Sequence, residues 1–423
     1  MSESRGFSYA VVLAAAFLLW IPVGLFGAGG YSALLALAAI PALFFVRYRS
    51  FNHIALAVLV LAVWAAVSGL WSDESVRLMT GDLAEGDFGI DAAGVRIIAT
   101  ALCAILVIGA CLRVRPPVKI ALGLIAVVIA LHGISMLLMG IFPETALSLY
   151  APTSDPVKEA PQNILRSANA YFLGSPILLG TAWLLPSPWR YLAAGAAFGL
   201  GFLTFLLLRS DVALLGSVLV LLACGVALLF RQNGFRILLG VVALAIIASP
   251  VVLSSAAPVA IKADLPLGSS TKSRLFAWSL ASKKIAERPL IGHGIEASKE
   301  WRETFADEPD LLAIMEKSTD LEGIPWEQYR ILPGHPHNMG LQLWAESGLV
   351  GVVLACAVLL LIALALPPPA ALGTPTVIAI ASLIGAAFSL FSLSYSLWNE
   401  AFWATVVLSA AGIAMLARIR APA

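Results

Sequence analysis

"GHPHNMGLQLWAESGLVGVVLACAVLLLIALAL" runs from Gly334 to Leu366 and changes character halfway. It opens on His335-Pro336-His337-Asn338, passes a Gly-x-x-Gly break at Gly348 and Gly351, and ends in an apolar run. Residues 348–366 carry no charge and come close to the roughly 20 apolar residues that a bilayer-spanning helix needs. The rest of the chain has the same character. Of its 423 residues 60% are hydrophobic and 12% are charged, against about 25% charged in a soluble domain. An aqueous fold cannot hide that much apolar surface, so lipid must be the solvent for most of the chain.

About twelve spans are expected on this criterion. They lie near 7–27, 30–46, 52–71, 94–112, 119–142, 169–186, 190–208, 211–230, 237–256, 348–366, 374–393 and 397–417. The fold class is therefore all-α, a polytopic integral membrane protein. It has helices 1–9 in residues 1–256, a large helical outer loop in 257–347 and helices 10–12 in 348–423. Lys and Arg in short loops mark the cytoplasmic side. Arg47 and Arg49, then Arg113, Arg115 and Lys119, Arg190, Arg231 and Arg236, and Arg418 and Arg420 all fall on one side. Both termini are then cytoplasmic, and the N-terminal apolar run reads as a retained span without a cleavage site. The segments 72–93, 143–168 and 257–347 face the other side. A net charge of +1 with no basic domain points away from nucleic acid. Cys103, Cys111, Cys224 and Cys356 sit in apolar runs and fit neither a zinc site nor a disulfide framework.

In the large loop, "SSTKSRLFAWSLASKKIAERP" reads as one helix. Ser269 or Ser270 is placed to cap it, and Pro289, Gly292 and Gly294 end it. Arg274, Trp278, Ala281 and Ile285 share a face. Arg274 either covers apolar surface with its stem or contacts an anion. Arg209 lies in the nearly loopless hairpin "FLLLRSDVALLG" on the outer side, where positive charge is disfavoured. It either pairs with Asp211 or faces a polar cavity. Arg166 sits at the outer end of another span. Topology thus places Arg166, Arg209, Arg274 and the two histidines at one membrane level. Guanidinium forks suit phosphate, and on an outer face without ATP that phosphate would belong to a lipid.

Pro336 suits a first helical position, which makes His335 a cap and puts His337 in the first turn. The helix dipole disfavours imidazolium there, leaving His337 neutral near pH 7 and able to accept a proton. The unpaired N–H groups of the same helix end favour an anion. A polar helix start with both histidines facing water is the other reading. A metal site lacks ligands at suitable spacing. His53 reads as a loop residue, His132 as a hydrogen-bonding group inside the bundle and His293 as the cap of a Gly-rich turn.

Four segments resemble the bacterial O-antigen ligase and polymerase family of membrane glycosyltransferases. His337-Asn338, nine residues, then Gly348-Leu349-Val350-Gly351 is similar to the His-Asn, nine, Gly-x-x-Gly motif of the ligases. "SRLFAWSLASKKIAERPLIGHGIEAS" resembles the Arg…Trp…Arg-Pro-Leu-x-Gly-x-Gly segment, with His293 where the family often has Trp. "LLLRSDVALLGSVLVLL" is similar to the Ser-Arg-Gly/Ser-Ala-x-x-Gly segment, with Leu208 in place of Ser. "RSANAYFLGSPILL" resembles a shortened Arg-x-x-Gly…Asn-x-x-Ala segment.

The resemblance implies a GT-C-like fold in the bacterial inner membrane with a periplasmic active site. It implies transfer of a glycan from undecaprenyl pyrophosphate to a sugar hydroxyl of lipid A–core oligosaccharide, with inversion and without metal or other cofactor. It implies that Arg209 and Arg274 hold the pyrophosphate and that His337 is the base. Arg166, Arg288, His335, Asn338 and Trp278 are the candidate substrate contacts. A polymerase using a second lipid-linked repeat unit as acceptor is the alternative within the family. A transporter of lipid-linked glycan is the alternative outside it, although no internal repeat of the transporter kind is evident.

Overall fold

The computed structural model describes residues 8–25, 29–46, 52–72, 93–113, 118–150, 159–262, 268–317 and 324–419. Sixteen helices form among them: α1 (Tyr9–Leu18), α2 (Trp20–Leu25), α3 (Gly30–Ala42), α4 (His53–Ser68), α5 (Ala93–Cys111), α6 (Val118–Ile141), α7 (Pro143–Tyr150), α8 (Glu159–Ala182), α9 (Trp189–Leu207), α10 (Asp211–Leu229), α11 (Gly234–Lys262), α12 (Ser269–Glu287), α13 (Pro309–Glu316), α14 (Met339–Ala365), α15 (Thr374–Leu393) and α16 (Glu400–Leu416). Among the described residues, eight helical segments are long and apolar enough to cross a membrane. Shorter apolar helices cover Tyr9–Leu18, Gly30–Ala42 and Glu400–Leu416. The molecule is an all-helical polytopic membrane protein. The orientation markers Arg47, Arg49, Arg115 and Arg420 lie outside the described residues, as does most of the expected outer segment 72–93.

The outer surface follows from that environment. Ile120, Leu229 and Val251 are each more than three-quarters exposed, which water would penalise and lipid does not. Polar groups inside the bundle find partners. The Trp20 indole donates to His132 Nδ1 at 3.0 Å, and His132 Nε2 lies 3.0 Å from the Ser167 hydroxyl. His132 thus makes the expected bonds within the bundle, whereas His53 is the exposed first residue of α4.

Two local expectations change. Neither Ser269 nor Ser270 caps α12: Gly268 holds the cap position without a side-chain bond, and Ser269 is the first helical residue. The helix α8 starts at Glu159, ten residues before the span expected from 169, so Arg166 lies on the helix itself rather than beyond its end.

α14 carries the decisive junction. Its φ/ψ leave the helical region at Gly348 (φ 62°, ψ −166°), where the expected apolar run begins. The turn after α12 fills that break. The amides of His293 and Gly294 donate to the Ala345 and Glu346 carbonyls at 2.8 Å each. Leu349 and Val350 donate back to the Pro289 and Leu290 carbonyls at 2.9 and 3.2 Å. The two stretches therefore supply each other's unpaired backbone groups. A Cβ on Gly348 would lie 2.4 Å from the Leu290 carbonyl, and one on Gly292 2.5 Å from the Glu346 backbone. Both residues also have φ near +60 to +70° (62° and 70°), where an L side chain is strained. His293 Nε2 meets the Lys284 carbonyl at 2.9 Å and so caps the last turn of α12. Gly348→Ala is expected to destabilise the protein by at least about 2 kcal/mol. It should lower the thermal midpoint in detergent by several degrees, and an unchanged midpoint would mean that the seam yields.

Candidate active site at one end of the bundle

The histidine turn is not helical. Asn338, not His335, is the cap of α14, accepting from the Leu341 amide at 3.0 Å. The helix begins at Met339, so Pro336 is not its first residue and His337 lies outside its first turn. The reason is a competing bond: the Trp278 indole of α12 donates to the Pro336 carbonyl at 2.8 Å and holds the turn open. His337 takes φ 49°, a left-handed conformation that histidine adopts more readily than most residues. His335 Nδ1 accepts from the His337 amide at 3.2 Å, and the two rings are 4.2 Å apart.

The ring of His337 is fixed by a distant segment. Its Nδ1 lies 2.7 Å from the Ser394 carbonyl, just beyond α15. A carbonyl can only accept, so Nδ1 carries the proton and Nε2 keeps its lone pair. Among the described residues no bond to Nε2 is found. Burial lowers the His337 pKa below the ordinary imidazole value. The Ser394 bond opposes the shift and the Arg274 charge adds to it. His335 is pushed down to about 3 by burial, with the charges of His337 and Lys299 adding to the effect. Both rings are neutral at pH 7, the state expected for His337 on other grounds.

Arg274 is partly buried on α12, and its guanidinium feels both Asp211 and His337. Burial lowers its pKa while Asp211 opposes that, and a guanidinium remains charged in any case. Arg209 ends α9 in the left-handed region at φ 53°. The Arg209 amide bonds the Leu206 carbonyl and the Ser210 amide bonds the Phe205 carbonyl, a Schellman ending in which glycine is the usual occupant. Arg209 is exposed and forms no ion pair with Asp211 among the described residues, so the local-pair reading falls. At the second residue of α10, the Val212 carbonyl accepts from the Ser389 hydroxyl of α15 at 2.8 Å. That bond keeps this hairpin beside the segment that seats His337.

Arg166 is exposed on α8, one turn from Asn169, whose amide donates to the Tyr395 hydroxyl at 2.6 Å. The Arg166 charge reaches Tyr395, the neighbour of Ser394. Arg274, His335 and His337 are thus neighbours, with Arg166 near Tyr395 and Arg209 two residues before Asp211. Trp278 and Asn338 serve there through the turn and the cap they hold, since Asn338 also donates to the Ser392 carbonyl at 3.3 Å. Arg288 does not join them. It follows the last turn of α12, about 21 Å along the axis from Arg274 at 1.5 Å per residue. Among the described residues no three His, Cys, Asp or Glu side chains gather as a metal site.

Sequence reasoning missed Gln342 and Glu346. They are fully buried on α14, and with Asn338 they recur every four residues on an otherwise apolar helix. That polar stripe was the available signal.

A helical membrane bundle with a guanidinium and imidazole cluster at one end defines the class, a polytopic membrane protein with a polar site at its surface. The family model described as "O-Antigen ligase" matches residues 196–356. The matched stretch, which holds Arg209, Arg274 and His337, is similar to that family. Over 85 residues the chain is 34% identical to a "Putative polysaccharide ligase" of Rickettsia conorii and 34% identical to one of Rickettsia bellii. A further one from Rickettsia prowazekii is 35% identical over 85 residues. Each match covers 20% of this chain and 18% of the relative.

Proposed function

We propose that the protein is an O-antigen ligase that moves a glycan from undecaprenyl pyrophosphate to a sugar hydroxyl of lipid A–core oligosaccharide. The observation that carries this reading is the His337 ring, seated through Nδ1 on the Ser394 carbonyl so that Nε2 keeps its lone pair, in the field of Arg274. Nε2 takes the proton of the acceptor hydroxyl as that oxygen forms a bond to the anomeric carbon. The bond from that carbon to the diphosphate breaks on the opposite face, which inverts the configuration. The diphosphate leaves with the electron pair, and Arg274 and Arg209 balance its charge. Because the leaving group is already stable as an anion, no acid, metal or nucleotide is needed. In this reading Arg166 and His335 contact donor or acceptor. The family description and the names of the relatives support a ligase over the transport alternative.

The site faces the periplasm of a bacterial inner membrane, with both termini cytoplasmic. Reporter fusions after Arg113 and Arg231 should behave as cytoplasmic and one at Glu308 as periplasmic; a cytoplasmic signal at Glu308 would invert this topology. The chemistry is tested with purified protein, an undecaprenyl-pyrophosphate glycan and lipid A–core in the presence of a chelator. Metal-free transfer to lipid A–core is expected. Extension of a second lipid-linked unit instead would make the protein a polymerase, and activity restored only by a divalent ion would remove the arginine account.

A further inference from the structure

One side of α14 closes onto the segment that follows α15. Asn338 bonds the Ser392 carbonyl and His337 the Ser394 carbonyl. Gln342 donates to the Ser396 hydroxyl at 2.9 Å and accepts from the Leu397 amide at 2.8 Å. Glu346 Oε2 accepts from the Trp398 indole. The same carboxyl reaches the other way: Oε2 accepts from the Glu296 amide at 2.8 Å, and Oε1 lies 2.5 Å from the Ser298 hydroxyl. Ser298 in turn lies 2.9 Å from the carbonyl of Gly334, the residue before His335. Gln342 also approaches Oε1 at 3.4 Å.

We infer that Glu346 is the positioning residue of the transfer reaction, clamping the turn that carries His337 and the segment that carries its Ser394 acceptor. The inference rests on the reading of His337 as the base. Glu346 touches no substrate. It acts through two arms, Ser298 to Gly334 on one side and Trp398 to Ser394 on the other, with Gln342 bracing the second. If either arm is lost, Nε2 shifts relative to the acceptor hydroxyl. A displacement of about 1 Å at a reacting centre can cost about 10²-fold in rate without any lost substrate contact. A buried group that accepts from the Trp398 indole, the Glu296 amide and Gln342 is also costly to truncate, because those donors are left unpaired.

The hydroxyl of Ser298 has one proton and two oxygens within reach. When it donates to Gly334, a donor at the Oε1 position completes the chain. Glutamine supplies that donor and keeps an oxygen for the Trp398 and Glu296 N–H groups, giving up only the long Gln342 contact at 3.4 Å, so hydrogen bonding rather than charge is what the site requires.

The test is steady-state transfer from an undecaprenyl-pyrophosphate glycan to lipid A–core, with the full-length protein in detergent. Glu346→Gln should stay within about threefold of wild type. Glu346→Leu should lose about 10²-fold in kcat with KM within about twofold. If Glu346→Leu does not fold, Ser298→Ala and Gln342→Met each cut one arm and should lower kcat about tenfold at unchanged KM. Wild-type kcat in folded Glu346→Leu, or in both single-arm variants, overturns the inference. So does Glu346→Gln as damaged as Glu346→Leu. His337→Ala is measured beside them. If it is inactive while Glu346→Leu is normal, only the positioning role falls; if it is fully active, the base reading falls first.

Discussion

Alanine at His337 is expected to lower single-turnover transfer by about 10²–10⁴-fold, the usual contribution of a general base. Binding of the lipid donor should change far less, because the arginines rather than the imidazole face the diphosphate in this mechanism. The pH profile gives a second readout. The base works only when neutral, and burial with the nearby Arg274 charge lowers its pKa. The wild-type rate should therefore stay flat through pH 7. It should fall on the acid side with a midpoint below the ordinary imidazole value of about 6.5. An acid limb centred above that value would contradict the assignment. Alanine at His335 should cost less, since it removes the acceptor for the His337 amide but leaves the Ser394 bond. Loss of chemistry in His335→Ala with retention in His337→Ala would exchange the two roles.

Arg274→Ala should cost transfer about 10²–10³-fold, the scale seen when a group that stabilises developing charge is removed. Arg274→Lys keeps the charge without the forked geometry and should retain weak activity. Both variants should weaken donor binding, in contrast to His337→Ala. The helix α12 should survive either change, because Leu275, Phe276 and Leu280 bury its other faces. Near-normal transfer by Arg274→Ala would return the residue to covering apolar surface with its stem.

The helices were legible because membrane-length apolar runs need no tertiary information. Arg209 stood out in the sequence because it breaks the charge rule under the expected topology. The conformation of the histidine turn was not. Pro336 favours a helix start locally, but the Trp278 indole takes its carbonyl from 58 residues away and defers the start to Met339. The Ser394 carbonyl that sets the tautomer lies 57 residues from His337 in a loop without any motif. The burial of the Glu346 carboxyl depends on Trp398 and Ser298 arriving from other segments. The stripe of Asn338, Gln342 and Glu346 is periodic in the sequence, but the partners it meets are not.

The left-handed backbone at Arg209 sets stability against use. An L side chain in that region costs roughly 1–2 kcal/mol, and glycine would remove the cost while keeping the same helix ending. Selection of random variants for heat resistance alone should then enrich glycine at position 209, and the surviving proteins should be sturdier than the parent yet poor at transfer. Selection for glycan transfer should hold arginine there in spite of the strain.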